Sequence, residues 1–191
     1  MDYIFRDQLH VVPSLLPVAP VNYLAVRTKG RQLVPSKYDT VFKYGKECEE
    51  PPTLLFQPYS LEPSHRYTIV KLKLICRRTN SSVYKQKCCW LIVNKESASK
   101  VDIAVKEYES GVNPDSFRRP PYVYRYLYLA YMQPVWTLNL SDEDKNFENW
   151  DLANFVGKYD LGTPIYGSGY LVSPYLNSFE SSHRKYFRVL R

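Results

Sequence analysis

The chain has 191 residues, of which 45% are apolar and 24% charged, and these proportions exclude disorder over most of its length and suit one domain with its own core. Lys and Arg number 26 against 19 Asp and Glu, and the net charge of +7 suits an acidic or polyanionic partner. Only 7 glycines stand beside 18 tyrosines and 14 prolines, a balance that argues against Gly-rich nucleotide loops and for strands and ordered loops.

Residues 1–22, punctuated by Pro13, Pro17 and Pro20, read as an extended arm. They show neither the charged start and apolar run of a secretory signal nor the Arg-rich pattern of a transit peptide. No stretch approaches the roughly 18 apolar residues of a membrane span. The expectation is a protein that is not secreted and has no transmembrane segment. Val21–Thr28 and Thr53–Phe56 read as strands. Tyr67–Ile75 predicts a strand with two faces: Thr68, Val70, Leu72 and Leu74 on one, Tyr67, Ile69, Lys71 and Lys73 on the other. Cys88–Asn94 is an apolar run suited to a buried strand. Tyr124–Met132 predicts another, with Arg125 as its one charge. Leu152, Phe155, Val156 and Tyr159 line one face of a helix over Trp150–Tyr159, with Asn149 as its cap and Gly162 and Pro164 beyond its end. Tyr166–Val172 reads as the last strand. The fold class is mainly β, as one domain over 1–175 with a basic aromatic tail at 176–191.

Catalytic patterns are missing. There is no P-loop, no G-x-G-x-x-G, no H-E-x-x-H and no G-x-S-x-G. His10, His65 and His183 lie in loops or the tail, away from any nucleophile. Asp142, Glu143 and Asp144 could supply an acid and a base, and read more simply as a solvated turn or helix start. Cys48, Cys76, Cys88 and Cys89 have no C-x-x-C spacing and read as buried small hydrophobes. No cofactor or metal motif is present, and the expectation is a protein that is not an enzyme. Seven basic residues and no acid occupy 66–87: Arg66, Lys71, Lys73, Arg77, Arg78, Lys85 and Lys87. With Arg118, Arg119 and the tail's Arg184, Lys185 and Arg188, most of them form a candidate polyanion-binding set: Lys71, Lys73, Arg77, Arg78, Lys85 and Lys87.

Six segments carry a family resemblance in chain order. They are Val11 through Pro20, Pro51-Pro52-Thr53 with Leu54, Tyr67-Thr68-Ile69-Val70, Trp90-Leu91-Ile92-Val93-Asn94, Tyr124 through Pro134, and Trp150-Asp151-Leu152 through Lys158-Tyr159-Asp160-Leu161-Gly162-Thr163-Pro164. Together they resemble the phosphatidylethanolamine-binding protein (PEBP) family, which includes Raf kinase inhibitor-like proteins. The resemblance implies an antiparallel β-sandwich with a few peripheral helices. It also implies a small anion cup built from two carboxylates, two histidines and an H-R-Y segment.

Here that cup is altered. Lys73 and Ile75 stand at the carboxylate positions and Arg77 at a proline position. Cys89 and Tyr124 stand at the histidine positions, and Arg125 and Tyr126 persist. Losing the histidines and aspartates removes the hydrogen bonds that order an anion. The resemblance therefore implies a non-catalytic interaction or scaffold protein with a protein or RNA partner in a larger assembly. The large subunit of the mitochondrial ribosome is such an assembly, and a mitochondrial location follows from it. The alternative is a cytoplasmic regulator of kinase signalling that binds a phospholipid headgroup or phosphate in the altered pocket.

Overall fold

The computed structural model describes residues 2–28, 31–32, 50–57, 60–76, 84–97, 104–110 and 123–172. Eight strands follow in chain order: β1 (Asn22–Thr28), β2 (Arg31–Gln32), β3 (Thr53–Gln57), β4 (Arg66–Cys76), β5 (Tyr84–Glu96), β6 (Ala104–Lys106), β7 (Val123–Met132) and β8 (Tyr166–Val172). The helix α1 (Leu152–Lys158) precedes β8. The strands form a single sheet in the order β2-β1-β8-β7-β4-β5-β6, with β3 also paired to β1. Its pairings are antiparallel apart from β1 with β8, which run parallel at Asn22 and Tyr166.

Strand alternation gives the sheet two cores, one for each face. Val70, Leu72 and Leu74 of β4 meet Leu127, Leu129 and Tyr131 of β7 in the first core. Tyr67 and Ile69 meet Tyr126, Tyr128 and Ala130 in the second. The sheet curls, so that Leu24 and Val26 of β1 and Leu54 and Phe56 of β3 close over Ile69, Trp90 and Ile92. The mainly β expectation holds, and the strand assignments fall within the observed strands to within a residue.

The N-terminal segment is a correction. It is not an extended arm. Ile4–Gln8 make a π-helical turn, and Phe5, Leu9, Val11, Val12, Leu15 and Leu16 are all buried in the first core. The fit requires glycine on β8. A Cβ at Gly169 would come within 2.6 Å of a Leu9 methyl and 2.9 Å of the Tyr126 carbonyl oxygen.

The segment after β7 is pinned by a polar clasp. Gln133 Nε2 donates to Asn94 Oδ1 at 2.9 Å, and its Oε1 accepts from the Asn94 backbone N–H at 2.6 Å. Thr68 Oγ1 also donates to Gln133 Oε1, at 3.2 Å. Asn94 Nδ2 donates to the Leu138 carbonyl, and Leu138 N–H donates back to Asn94 Oδ1. Asn94 sits at φ 57°, a left-handed conformation that Asn tolerates better than most residues.

The helix cap and the acidic turn also differ from expectation. Asp151 caps α1 by accepting from Asn154 N–H at 3.1 Å, while Asn149 ends a 3₁₀ turn two residues earlier. Asp144 is not solvated. It is 8% exposed and accepts from Ser141 Oγ at 2.5 Å, from Lys158 Nζ at 2.9 Å and from the Tyr159 hydroxyl. Burial alone would raise its carboxyl, but the hydrogen bonds from Ser141, Tyr159 and Lys158 outweigh burial and hold it at about 2. In the first core, the buried hydroxyl of Tyr131 has no such partner. Leaving a buried hydroxyl unpaired costs about 1–3 kcal/mol.

Two outcomes are expected. Gly169→Ala lowers stability by about 1–3 kcal/mol in chemical denaturation, because Leu9 and β7 must give way to the added methyl. Asp144→Asn lowers it by about 2 kcal/mol at neutral pH. The folded carboxyl titrates below its reference value of 3.8. Its contribution is therefore complete above about pH 4 and is lost as pH falls toward 2. Denaturation curves across that window will be steeper in pH for the wild type than for Asp144→Asn.

Candidate functional site

Lys73, Ile75, Cys89, Tyr124 and Tyr126 lie on the second face, where β4, β5 and β7 run side by side. Lys71 and Lys73 of β4 pair with Tyr128 and Tyr126 of β7. Across β5, Lys71 pairs with Trp90 and Leu72 with Cys88, so Cys89 is the extra residue of a β-bulge. The bulge turns Cys89 toward the same lysines that face Tyr126. The strand pattern thus delivers two amines, a thiol and several tyrosines to one place.

Lys71 occupies the middle of that place. Its side chain is fully buried. The ammonium donates to the backbone carbonyls of Glu109 at 2.8 Å and Ser110 at 2.9 Å. It lies 4.0 Å from the ring centroid of Tyr108, 5.6 Å from Tyr126 and 5.8 Å from Tyr128. Buried charge is tolerated only when polar partners surround it, and here carbonyl dipoles and π-faces do so. Tyr170 of β8 stacks on Tyr126 at 5.1 Å and Trp90 meets Tyr108 edge-on at 5.5 Å, which closes the wall.

Lys73 stands one step toward the rim. Its ammonium is 4.6 Å from the Tyr124 ring and 6.0 Å from Tyr126. Burial lowers its affinity for the proton, the Cys89 thiol opposes that shift, and nearby Lys87 adds to it. Ile75 is half-buried and packs on the second core beside Tyr124. Burial pushes the Cys89 thiol up, against the pull of Lys71 and Lys73. It also raises the Cys76 and Cys88 thiols, so none of the three is a ready thiolate. The buried reading holds for these three, and Cys48 lies outside the described residues.

The structure separates Arg125 from this group. It pairs with Leu74, so its side chain enters the opposite face and donates to Cys76 Sγ at 3.0 Å. Tyr124 and Tyr126 face the lysines, and the residue between them cannot. Arg77 lies outside the described residues, as do Arg78, Arg118, Arg119, Arg184, Lys185 and Arg188 of the polyanion set. Within the described part of that set, two cations are turned inward. Lys71 is buried as above. Lys87 bridges Glu109 at 2.8 Å and Glu148 at 2.6 Å. These contacts correct their assignment to a polyanion-binding face. Lys85 remains on the surface.

The sequence reading missed Tyr108, Glu109, Ser110 and Tyr170. The first three follow β6 in a segment with no motif, and only the folded chain brings them to Lys71. Among the described residues, no three His, Cys, Asp or Glu side chains converge as metal ligands. No helix of the described residues is long and apolar enough to cross a membrane.

No protein-family profile matches the sequence. Among curated proteins, the chain is 26% identical over 175 residues to "Putative odorant-binding protein A5" of Drosophila melanogaster, covering 84% of this chain and 75% of that one. Among solved structures, carboxypeptidase Y inhibitor, determined in complex with its cognate proteinase, superposes with a TM-score of 0.62 at 12% identity. That match covers 88% of this chain and 92% of the inhibitor. The solution structure of CG7054 superposes with a TM-score of 0.57 at 17% identity, over 91% of this chain and 92% of that one. The fold is PEBP-like.

The seat of Lys71 has a direct test. Lys71→Ala lowers stability by about 2–4 kcal/mol, because it leaves a cavity and two carbonyls without a donor. Added n-propylammonium carries the deleted atoms and raises the melting temperature of the variant but not of the wild type. A variant indifferent to that cation would mean that the cage does not hold the ammonium.

Proposed function

We propose that this chain is a non-catalytic binding protein that recognises a protein partner through its outer surface, on a PEBP-like scaffold whose anion cup is closed by its own lysine. The observation that carries the reading is the buried ammonium of Lys71. It fills the space among Tyr108, Tyr126 and Tyr128 and already uses the nearby carbonyls. A headgroup would have to displace it, and the histidines and carboxylates that would order an anion are replaced.

The surface supplies an alternative place to bind. Val21, Met132, Val135 and Trp136 are 81%, 40%, 52% and 54% exposed. They flank the end of the sheet where β1 and β8 begin and β7 ends. Arg66 lies 4.4 Å from the Trp136 ring and pairs with Glu96, and Glu62 and His65 stand beside Met132. An apolar, aromatic centre with a polar rim has the composition of a protein interface. The carboxypeptidase Y inhibitor, complexed with a proteinase, supports a protein partner for this fold.

A second reading is a subunit role in an RNA–protein assembly such as the large subunit of the mitochondrial ribosome. The surplus charge of +7 favours it. Seven of the eleven residues in the candidate polyanion set lie outside the described part of the chain. The phosphate-binding alternative would use Lys73, the more accessible of the two cup lysines.

Two measurements separate these readings. On immobilised phosphate and phosphoethanolamine the wild type is expected to pass unretained, and Lys73→Met changes nothing. In a native gradient the chain is expected to co-migrate with a protein partner despite ribonuclease and high salt, and Trp136→Ala releases it. Retention on phosphate that disappears with Lys73→Met would overturn the proposal in favour of an anion binder. Co-migration with a large particle that ribonuclease abolishes would overturn it in favour of the assembly subunit.

A further inference from the structure

On the first face, away from the cup, a groove of about 240 Å³ runs between the N-terminal segment, α1 and β7. Leu15, Leu16 and Pro17 form one wall, and Leu152 and Val156 of α1 form another. Tyr131 of β7 lines it from the sheet side and is the only lining residue with a polar side-chain atom. Tyr131 is 1% exposed, and its hydroxyl has no hydrogen-bond partner. A dry, apolar cavity of ~150 Å³ suffices to take up benzene. This groove is larger, and it offers what a plain apolar cavity lacks: a donor with nothing to donate to.

We infer that this groove is a binding site for a compact aromatic or aliphatic molecule carrying one hydrogen-bond acceptor, which the Tyr131 hydroxyl engages. The apolar walls supply the affinity, and the hydroxyl selects for the acceptor. Burial also keeps the phenol neutral, raising it far above its ordinary range, so it donates rather than ionises. The site is independent of the surface proposed for a protein partner and of the cup, which lies on the other side of the sheet.

Gly157 provides the means of testing it. It lines the groove, and a Cβ built there meets nothing within 4 Å. Gly157→Leu therefore projects into the groove without straining the fold, and replaces a helical glycine with a better helix former. Acetophenone and ethylbenzene serve as probes, because they match in shape and differ in the acceptor. Saturation-transfer NMR on the full chain reads their binding, and thermal melts confirm that each variant folds.

Acetophenone is expected to bind the wild type and to be excluded by Gly157→Leu. Tyr131→Phe is expected to weaken acetophenone by roughly three- to tenfold while leaving ethylbenzene unchanged. The unliganded Tyr131→Phe protein is expected to melt no lower than the wild type, since the change removes only an unpaired hydroxyl. Absence of any acetophenone signal, as when another part of the chain or a second protein covers the groove, would overturn the inference. So would acetophenone binding that Gly157→Leu leaves intact, or equal responses of the two probes to Tyr131→Phe.

Discussion

The structure of the second face depends on burying one ammonium. Apart from Lys73, the residues of its strand on that face are apolar or aromatic, and the charge of Lys71 can be accommodated there only if dipoles and π-faces converge on it. The carbonyls of Glu109 and Ser110 and the rings of Tyr108, Tyr126 and Tyr128 do so. That requirement ties the segment after β6 to the middle of the sheet. It also leaves those carbonyls and ring faces engaged with the ammonium.

The two faces have therefore taken different chemical characters. The second is crowded with tyrosines and stabilised around an internal cation. The first is aliphatic, roofed by the N-terminal segment and α1, and has one unpaired hydroxyl beside a groove. Outside both, a few apolar side chains stand at one end of the sheet. A scaffold of this kind can keep its architecture while its binding chemistry moves from one surface to another.

Much of the fold was legible because strand alternation is a short-range signal. The two faces of Tyr67–Ile75 could be read from side-chain periodicity, and the pairing with β7 confirms them. The same alternation separates Tyr124 from Arg125, although a contiguous motif invites grouping them. The spacing of Phe5, Leu9, Val12 and Leu16 held a helix-like apolar rhythm that three prolines obscured. What could not be read was long-range. Nothing in Lys71 itself distinguishes it from Lys73, since the residues that bury it arrive from 108–110. Asp144 likewise looks like any acid in a polar turn until Lys158 and Tyr159 come back from α1 to meet it.

The parallel contact between β1 and β8 has a further consequence for how the chain is made. β1 leaves the ribosome well before its neighbour β8, the last strand described. The nascent chain must hold β1, and the buried N-terminal residues that rest on β8, without that support until β8 has been made. At roughly 5–20 residues per second that delay lasts many seconds. Until then β1 lacks its β8 neighbour, and an unpaired strand edge of this kind is prone to pairing with other chains.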